Sequence, residues 1–470
     1  MSSVRAAWWR ALYALLGSRV TIAVAGTILD LIAAMRGPQA SAHVLGVFEQ
    51  RFVYSGWPLY EMGWVNVHMS RVATLVRRRG RPVAAKPGPS PGQAIRVAMV
   101  GRFVGLLGFP RELVDACPAD LVIADISHSG RFASYLQREG RQYAAFDLDS
   151  GAANAAGVAQ FINHARPDLV INIGQKEEAF EIVDLIEAPC IANLCAGSDL
   201  MHHRNVDLQF HGQPEADYFV VNNRMFCGTS RSYVPSSRVQ TITGYIDPRG
   251  LLSEPRAKWA EREPLIVCHG SLFKFAAPAF RAVLMQVLVR NPQVRLALMG
   301  RDSGAALASI LKEAADAGVR DRVDYLGAFS AVRGEDGMLP DQGWERLLGL
   351  LRRARLAPDA FPLGGGSSRF EAYATGVPSV HLAVRFDEDA WGKPQPGTCE
   401  VPSLAAPSGT ARSIADYAAL CDRLLVDGKL ADRLAQEQLE LARRVGDAKR
   451  WWAEILDGHA HWLTVNRAAS

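Results

Sequence analysis

The chain lacks a long apolar run. Of its 470 residues, no stretch reaches the ~18 uninterrupted apolar residues that a membrane-spanning helix needs. The apolar patch from Ala11 to Leu16 is closed by Arg19, and the next run is closed by Asp30 and Arg36. Ala23-Val24-Ala25 has the small residues of a cleavage site, but these interruptions argue against a secretory leader. A cytoplasmic location is the expectation. Trp8 and Trp9 beside arginines leave a shallow contact of the N-terminal helices with a membrane surface open.

Cysteine is sparse as well. The seven cysteines are scattered, and no pair has zinc-ligand or redox spacing. Such a set reads as buried thiols in a reducing compartment. His202, His203 and His211 lie near one another, but no carboxylate or cysteine completes a metal-ligand spacing, so no metal site is expected. Net charge is small too: 52 Lys and Arg against 48 Asp and Glu, giving +4. That is too weak to argue for a nucleic-acid partner, though it suits the handling of anionic diphosphates. No repeat of solenoid period is visible.

What remains is an ordinary globular balance, 49% hydrophobic and 21% charged. Apolar residues recur at three- and four-residue steps from Trp8 to Met35 and from Val44 to Val76, which predicts a helical N-terminal domain over residues 1–81. Residues 82–94 are rich in Pro, Gly, Ala and Ser and read as a linker. From Ile95 the pattern changes to short apolar runs alternating with helical stretches. Strands are expected at Ile95–Val100, Ala119–Asp125, Tyr143–Leu148, Leu169–Ile173 and Cys190–Leu194, with a last one at Tyr218–Asn222. Helices are expected at Arg131–Glu139, Ala152–His164 and Glu177–Glu187. Apolar runs of this length fit parallel strands covered on both faces. This unit, residues 95–262, ends in an irregular segment rich in Ser, Pro, Gly and Arg.

A second unit of the same kind follows over residues 263–412. Its expected strands are Leu265–His269, Arg295–Met299, Val323–Leu326, Arg355–Ala357 and Pro378–Leu382. Its expected helices are Pro278–Arg290, Ala305–Ala317, Gly343–Arg353 and Phe370–Thr375. Residues 413–470 form a helical tail with Trp451, Trp452 and Trp462 as packing anchors. The expected fold is therefore α/β, with two doubly wound, Rossmann-like domains, an N-terminal helical domain and a helical tail. Ligands of such sheets sit beyond the carboxyl ends of the strands.

Chemistry concentrates in the second unit. Phe361-Pro362-Leu363-Gly364-Gly365-Gly366-Ser367-Ser368 is a glycine-rich turn leading into a helix that carries Glu371 and stops at Gly376. Amides at such a helix start cradle phosphate. Glu371 is placed to accept hydroxyl protons from a ribose or a sugar. The strand ending at His269 runs into Gly270, Ser271 and Lys274. A lysine past a strand end can neutralise the charge that builds on a nucleoside diphosphate as it leaves, so Lys274 is both a donor-binding and a catalytic candidate. Arg301, after the next strand, is a second cation. Ala328 and Phe329, after Gly327, are placed to receive a nucleobase.

Arg322 to Gly327, Ala360 to Ser368, Glu371, Gly376-Val377-Pro378 and the Ser271–Lys274 loop together resemble the nucleotide-sugar domain of GT-B glycosyltransferases. The likeness is greatest to the O-GlcNAc transferase family and its bacterial relatives, the cytoplasmic N-glucosyltransferases. The resemblance implies a GT-B fold, a UDP-sugar donor and inverting transfer without a metal ion or other cofactor. It puts Lys274 on the diphosphate, and Gly365, Gly366, Ser367 and Ser368 around the diphosphate and sugar. Retaining GT-B enzymes flank this loop with two glutamates. Glu371 stands where the second would be, but Gly364 occupies the place of the first, which favours inversion.

The acceptor side is less legible. The histidine that O-GlcNAc transferases carry after the first strand is absent. The general-base candidates are His211, His128 and Asp199. The expected activity is transfer of a hexose from UDP-GlcNAc or UDP-glucose to a protein. A UDP-GlcNAc 2-epimerase-like isomerase, a transferase acting on a lipid-linked or cell-envelope glycan, and a scaffold without donor binding are the alternatives.

Overall fold

The computed structural model describes Met35 and residues 95–101, 111–126, 136, 140–148, 154–173, 177–195, 205–211, 239–246, 248, 250–253, 255–302, 306–329, 342–361, 364–382, 404 and 406–469. The expected N-terminal helical domain and linker, the Tyr218–Asn222 strand and nearly all of the Arg131–Glu139 helix lie outside these residues.

The first α/β unit is a seven-stranded sheet. Its strands are β1 (Arg96–Gly101), β2 (Asp120–Asp125), β3 (Gln142–Ala145), β4 (Leu169–Ile173), β5 (Cys190–Cys195), β6 (Leu208–His211) and β7 (Val239–Thr241). They run in the order β3-β2-β1-β4-β5-β6-β7, all parallel. This is the doubly wound order, and its switch point falls between β1 and β4. Helices α1 (Arg111–Asp115), α2 (Ala155–Ala165) and α3 (Glu177–Leu185) lie between strands in the chain. Asn154 caps α2 by accepting the Gly157 N–H at 2.9 Å. Val170 and Ile191 face the apolar layer that holds Val158 and Ile162 of α2. Leu169, Ile171 and Phe210 face the opposite layer. Both faces are covered, as the unbroken apolar runs of these strands require. β6 and β7 lie in stretches where the sequence pattern predicts no strand.

The second unit repeats the plan with β8 (Glu263–His269), β9 (Arg295–Met299), β10 (Val323–Tyr325) and β11 (Ala354–Leu356), in the parallel order β10-β9-β8-β11. Helices α4 (Pro278–Arg290), α5 (Ala306–Asp316), α6 (Gln342–Arg353) and α7 (Ser367–Ala374) alternate with the strands. Pro278 opens α4 at a position where a missing N–H costs nothing. Beyond β11, Ala357 N–H donates to Pro378 O and Asp359 N–H to Val380 O, which lays the chain after α7 alongside residues 357–359. That chain continues into β12 (His381–Leu382), paired in parallel with β13 (Thr410–Ala411).

Arg262 fastens this unit. It is 4% exposed. Its guanidinium donates to the carbonyls of Ala257, Leu351, Arg352, Ala354, Thr375 and Gly376. One side chain thus satisfies carbonyls at the carboxyl ends of both α6 and α7, where helices leave them without partners. Burial lowers its pKa from the usual arginine value.

The tail is three helices: α8 (Ile414–Val426), α9 (Gly428–Val445) and α10 (Ala448–Ala469). Ser413 and Asp427 cap α8 and α9 through their side chains. α8 and α9 pack on the second unit. Gln438 of α9 clamps Ser379, accepting from its N–H at 2.9 Å and donating to its carbonyl. α10 returns to the first unit, where Trp451, Trp452 and Ile455 join the layer of Met99, Leu121 and Phe210. Trp452 Nε1 donates to Leu113 O at 2.7 Å, and Glu454 accepts from Thr243. Among the described residues no helix is long and apolar enough to cross a membrane.

Candidate functional site

The carboxyl ends of β8, β9 and β10 are laced together by backbone. Gly270 N–H donates to Met299 O at 3.1 Å, Gly300 N–H to Gly327 O at 2.9 Å, and Leu272 N–H to Arg301 O at 3.0 Å. Tyr325 Oη adds a bond to Gly300 O at 3.1 Å. The two loops approach so closely that a Cβ on Gly300 would sit 1.6 Å from the Gly270 carbonyl oxygen. Glycine at 300 is a steric requirement of this crossing.

A cleft opens beside it, lined by His269 at the end of β8 and Lys274 after it, Asp359 and Ala360 after β11, and Gly365, Ser368 and Arg369 around the start of α7. α7 begins at Ser367, three residues before the expected start, with Gly366 as its N-cap. The first amides of a helix have no partner within it, and the helix dipole adds positive potential there. Lys274 lies in the short 3₁₀ turn Leu272–Ala276. Its Nζ donates to Gly364 O at 3.0 Å, which brings the lysine to the glycine turn.

Asp359 shapes the turn. Its Oδ1 accepts the Gly365 N–H at 2.7 Å, and its other oxygen pairs with Arg369. Both carboxylate and guanidinium are buried. The Asp359 carbonyl accepts a bond from Tyr417 Oη at 2.6 Å. A Cβ on Gly365 would fall 2.0 Å from Ser368 Oγ. The Gly365 amide is thus engaged by Asp359, and this residue contributes close packing of the turn.

Glu371 is 2% exposed and Thr375 caps its turn by donating to Glu371 O at 2.8 Å. Its Oε2 lies 3.0 Å from His269 Nε2. The pair is in ion-pair contact, and among the described residues His269 Nε2 is buried with no hydrogen bond. The imidazole also tilts against Phe329, ring centres 6.3 Å apart. His269 and Asp359 were not singled out in the sequence. A histidine as the last residue of a strand whose loop carries the phosphate candidates was the available signal. Asp359, one residue before the glycine-rich segment, gave none.

Of the other expected residues, Gly270 and Ser271 stand at the end of β8. Arg301 and Ala328 are exposed, Phe329 is half-buried, Gly366 is buried, Ser367 is exposed and Ser368 is half-buried. His211 ends β6, on the first sheet's carboxyl edge. His128, Asp199, His202 and His203 lie outside the described residues. Among the described residues no group of three or more His, Cys, Asp or Glu is placed to hold a metal ion.

A strand-end cleft with a glycine turn and helix start, in the second of two doubly wound units, has counterparts among solved structures. An O-GlcNAc transferase mutant of Thermobaculum terrenum matches with a TM-score of 0.63 over 96% of this chain and 89% of that one, at 16% identity. The chain has the fold of the GT-B glycosyltransferases. A glycosyltransferase of Rickettsia africae matches with a TM-score of 0.55 over 79% of this chain and 99% of that one, at 10% identity. HepE of Anabaena, in complex with UDP and glucose, matches with a TM-score of 0.51 over 78% of this chain and all (100%) of that one, at 13% identity. No protein-family model matches the chain, and no curated protein sequence matches it. In this GT-B fold the cleft of Lys274 and α7 belongs to the second, carboxyl-terminal α/β unit, and α10 crosses back to the first.

Proposed function

We propose that the protein is a glycosyltransferase that takes a hexose from a UDP-sugar and transfers it, with inversion, to a protein. One observation carries the donor half of this reading: Lys274 and the start of α7 face each other across the glycine turn. This gives one fixed cation, one helix N-terminus and a cleft at the carboxyl ends of parallel strands, a set suited to a diphosphate. HepE, which matches most of the chain, binds UDP and glucose in its solved complex.

Charge builds on the diphosphate as the glycosidic bond breaks. Lys274 and the helix start lower the barrier most if they lie closest to the leaving phosphate in the transition state. They supply positive charge with no metal ion in the scheme. Ser367 and Ser368 add hydroxyls to the diphosphate and sugar. Arg301 lies beyond β9 as a further cation, and Ala328 and Phe329 border the place for the base. Inversion is favoured because Gly364 stands where retaining relatives of this fold carry a glutamate. The protein acceptor rests on the likeness to an O-GlcNAc transferase over nearly the whole chain. The acceptor's proton falls to a base on the first unit's carboxyl edge, with His211 at the end of β6 the first candidate beside His128 and Asp199.

The test is co-expression with candidate acceptors, followed by mass spectrometry for added hexose or N-acetylhexosamine, beside incubation with UDP-sugars alone. Sugar on protein is the expected result. An epimer formed from UDP-GlcNAc without any acceptor overturns the transferase, and modified lipid-linked glycan with unmodified protein overturns the acceptor. No UDP binding at millimolar nucleotide overturns every donor-using reading.

A further inference from the structure

The group that meets the donor at the end of β8 is a histidine with a glutamate behind it. His269 is 5% exposed, lines the cleft beside Lys274, Ser368 and Arg369, and turns Nε2 toward Glu371 Oε2 at 3.0 Å. Glu371 does not border that cleft and is 2% exposed. The order from solvent inward is therefore cleft, imidazole, carboxylate. Nε2 is thus taken up by the buried carboxylate, and the rest of the ring is what the cleft meets.

We infer that His269 is a donor-binding residue that hydrogen-bonds an oxygen of the diphosphate, and that Glu371 is the positioning residue that holds its ring. The inference rests on the nucleotide-sugar reading and deepens it. Three features favour the diphosphate over the sugar or the ribose. The cleft wall around His269 carries the Lys274 ammonium and the start of α7, both suited to an anion. The carboxylate 3.0 Å from Nε2 fixes which edge of the ring faces inward and leaves the opposite edge for a ligand oxygen in the cleft. The ring tilts against Phe329, the residue assigned to the border of the base site, so the imidazole adjoins both the base and the phosphate sites.

The experiment is calorimetric titration of the full chain with UDP, and with uridine by competition, for the wild type and four variants. His269→Ala is expected to weaken UDP about tenfold or more while leaving uridine within about twofold, the loss of one hydrogen bond to a charged group. His269→Gln keeps a donor at similar size and is expected to recover part of the loss, which a space-filling role alone does not predict. Glu371→Gln is expected to weaken UDP severalfold, and to add almost nothing when combined with His269→Ala, because a positioning residue acts only through the group it holds. Thermal unfolding of each variant checks that it is folded, and His269→Gln carries the test if His269→Ala is not.

Unchanged UDP affinity in folded His269→Ala and His269→Gln overturns the inference. So does an equal loss for UDP and uridine, which moves the contact to the nucleoside. Full additivity of Glu371→Gln and His269→Ala overturns the positioning role. Failure of the wild type to bind UDP overturns the donor reading itself, a result distinct from wild-type binding with insensitive variants.

Discussion

The two parallel sheets share a winding order and finish differently. At the carboxyl end of the second, glycines let β8, β9 and β10 cross at backbone distance, and the side chains that remain are cationic or paired: Lys274, Arg369 with Asp359, His269 with Glu371. Toward the carboxyl end of the first, neutral amides bridge neighbouring strands. Asn172 of β4 donates to Asn193 of β5 at 2.8 Å, and Asn193 donates to Gln209 of β6 at 3.1 Å. All three are buried, at paired register positions. One end is built to receive charge and the other to hold strands in register beneath the loops that follow. The diphosphate of the proposed donor belongs with the first kind of end.

Gly300→Ala is the largest expected breach of this contrast. The added Cβ cannot coexist with the Gly270 carbonyl, so β8 and β9 must part at their ends. We expect a loss of at least about 3 kcal/mol, the upper range for an overpacked site, together with loss of UDP binding. Chemical denaturation and calorimetry read both; a stable variant with intact UDP affinity separates the strand crossing from the site. Arg262→Ala is next. It strands five carbonyls at two helix ends and that of Ala257, and about 3 kcal/mol is expected to go. Arg262 does not line the cleft, which predicts that UDP affinity survives in whatever fraction stays folded. A selective loss of affinity instead shows that the ends of α6 and α7 are part of the donor site.

The sequence was most readable where one local pattern settles the outcome. β4 and β9 match the expected runs end to end, because an unbroken apolar run between polar turns has one stable use in a sheet covered on both faces. α4 does too, with its proline at the first position. β7 escaped because three residues, Val239–Thr241, give no period. α7 was expected at Phe370 because Ser367 and Ser368 read as turn residues, yet serine near a helix start is ordinary once the glycine turn is placed. In the site, the glycine turn and Lys274 were legible as a motif. Asp359, His269 and Arg262 were not, because their significance lies in partners brought by the fold: Arg369 and Gly365, Glu371, and carbonyls up to 114 positions away.

Asn193→Leu sharpens the contrast from the first sheet. The substitution removes both rungs of the amide ladder while keeping similar volume, and leaves buried polar groups on Asn172 and Gln209 with one fewer bond. We expect about 2 kcal/mol of lost stability. UDP affinity is expected to stay unchanged, because no member of the ladder lines the donor cleft. Weakened UDP binding with unchanged stability reverses the assignment of the two ends.

Lys274→Ala is the smallest expected effect on the fold and the most direct test of what the second end receives. Lys274 donates to Gly364 O in the turn and is only half-buried, so its removal is expected to cost about 1 kcal/mol of stability. Its charge is another matter. A lysine that meets a diphosphate across a helix start contributes one charge-assisted bond, and its loss is expected to weaken UDP about tenfold, or ~1.4 kcal/mol. Uridine, which lacks the phosphates, is expected to bind as before. Raised salt is expected to shrink the difference between Lys274 and alanine for UDP, because screening acts on the charge and not on the base contact. Equal UDP affinity for the two proteins at low salt removes Lys274 from the site and leaves the helix start and His269 to hold the anion.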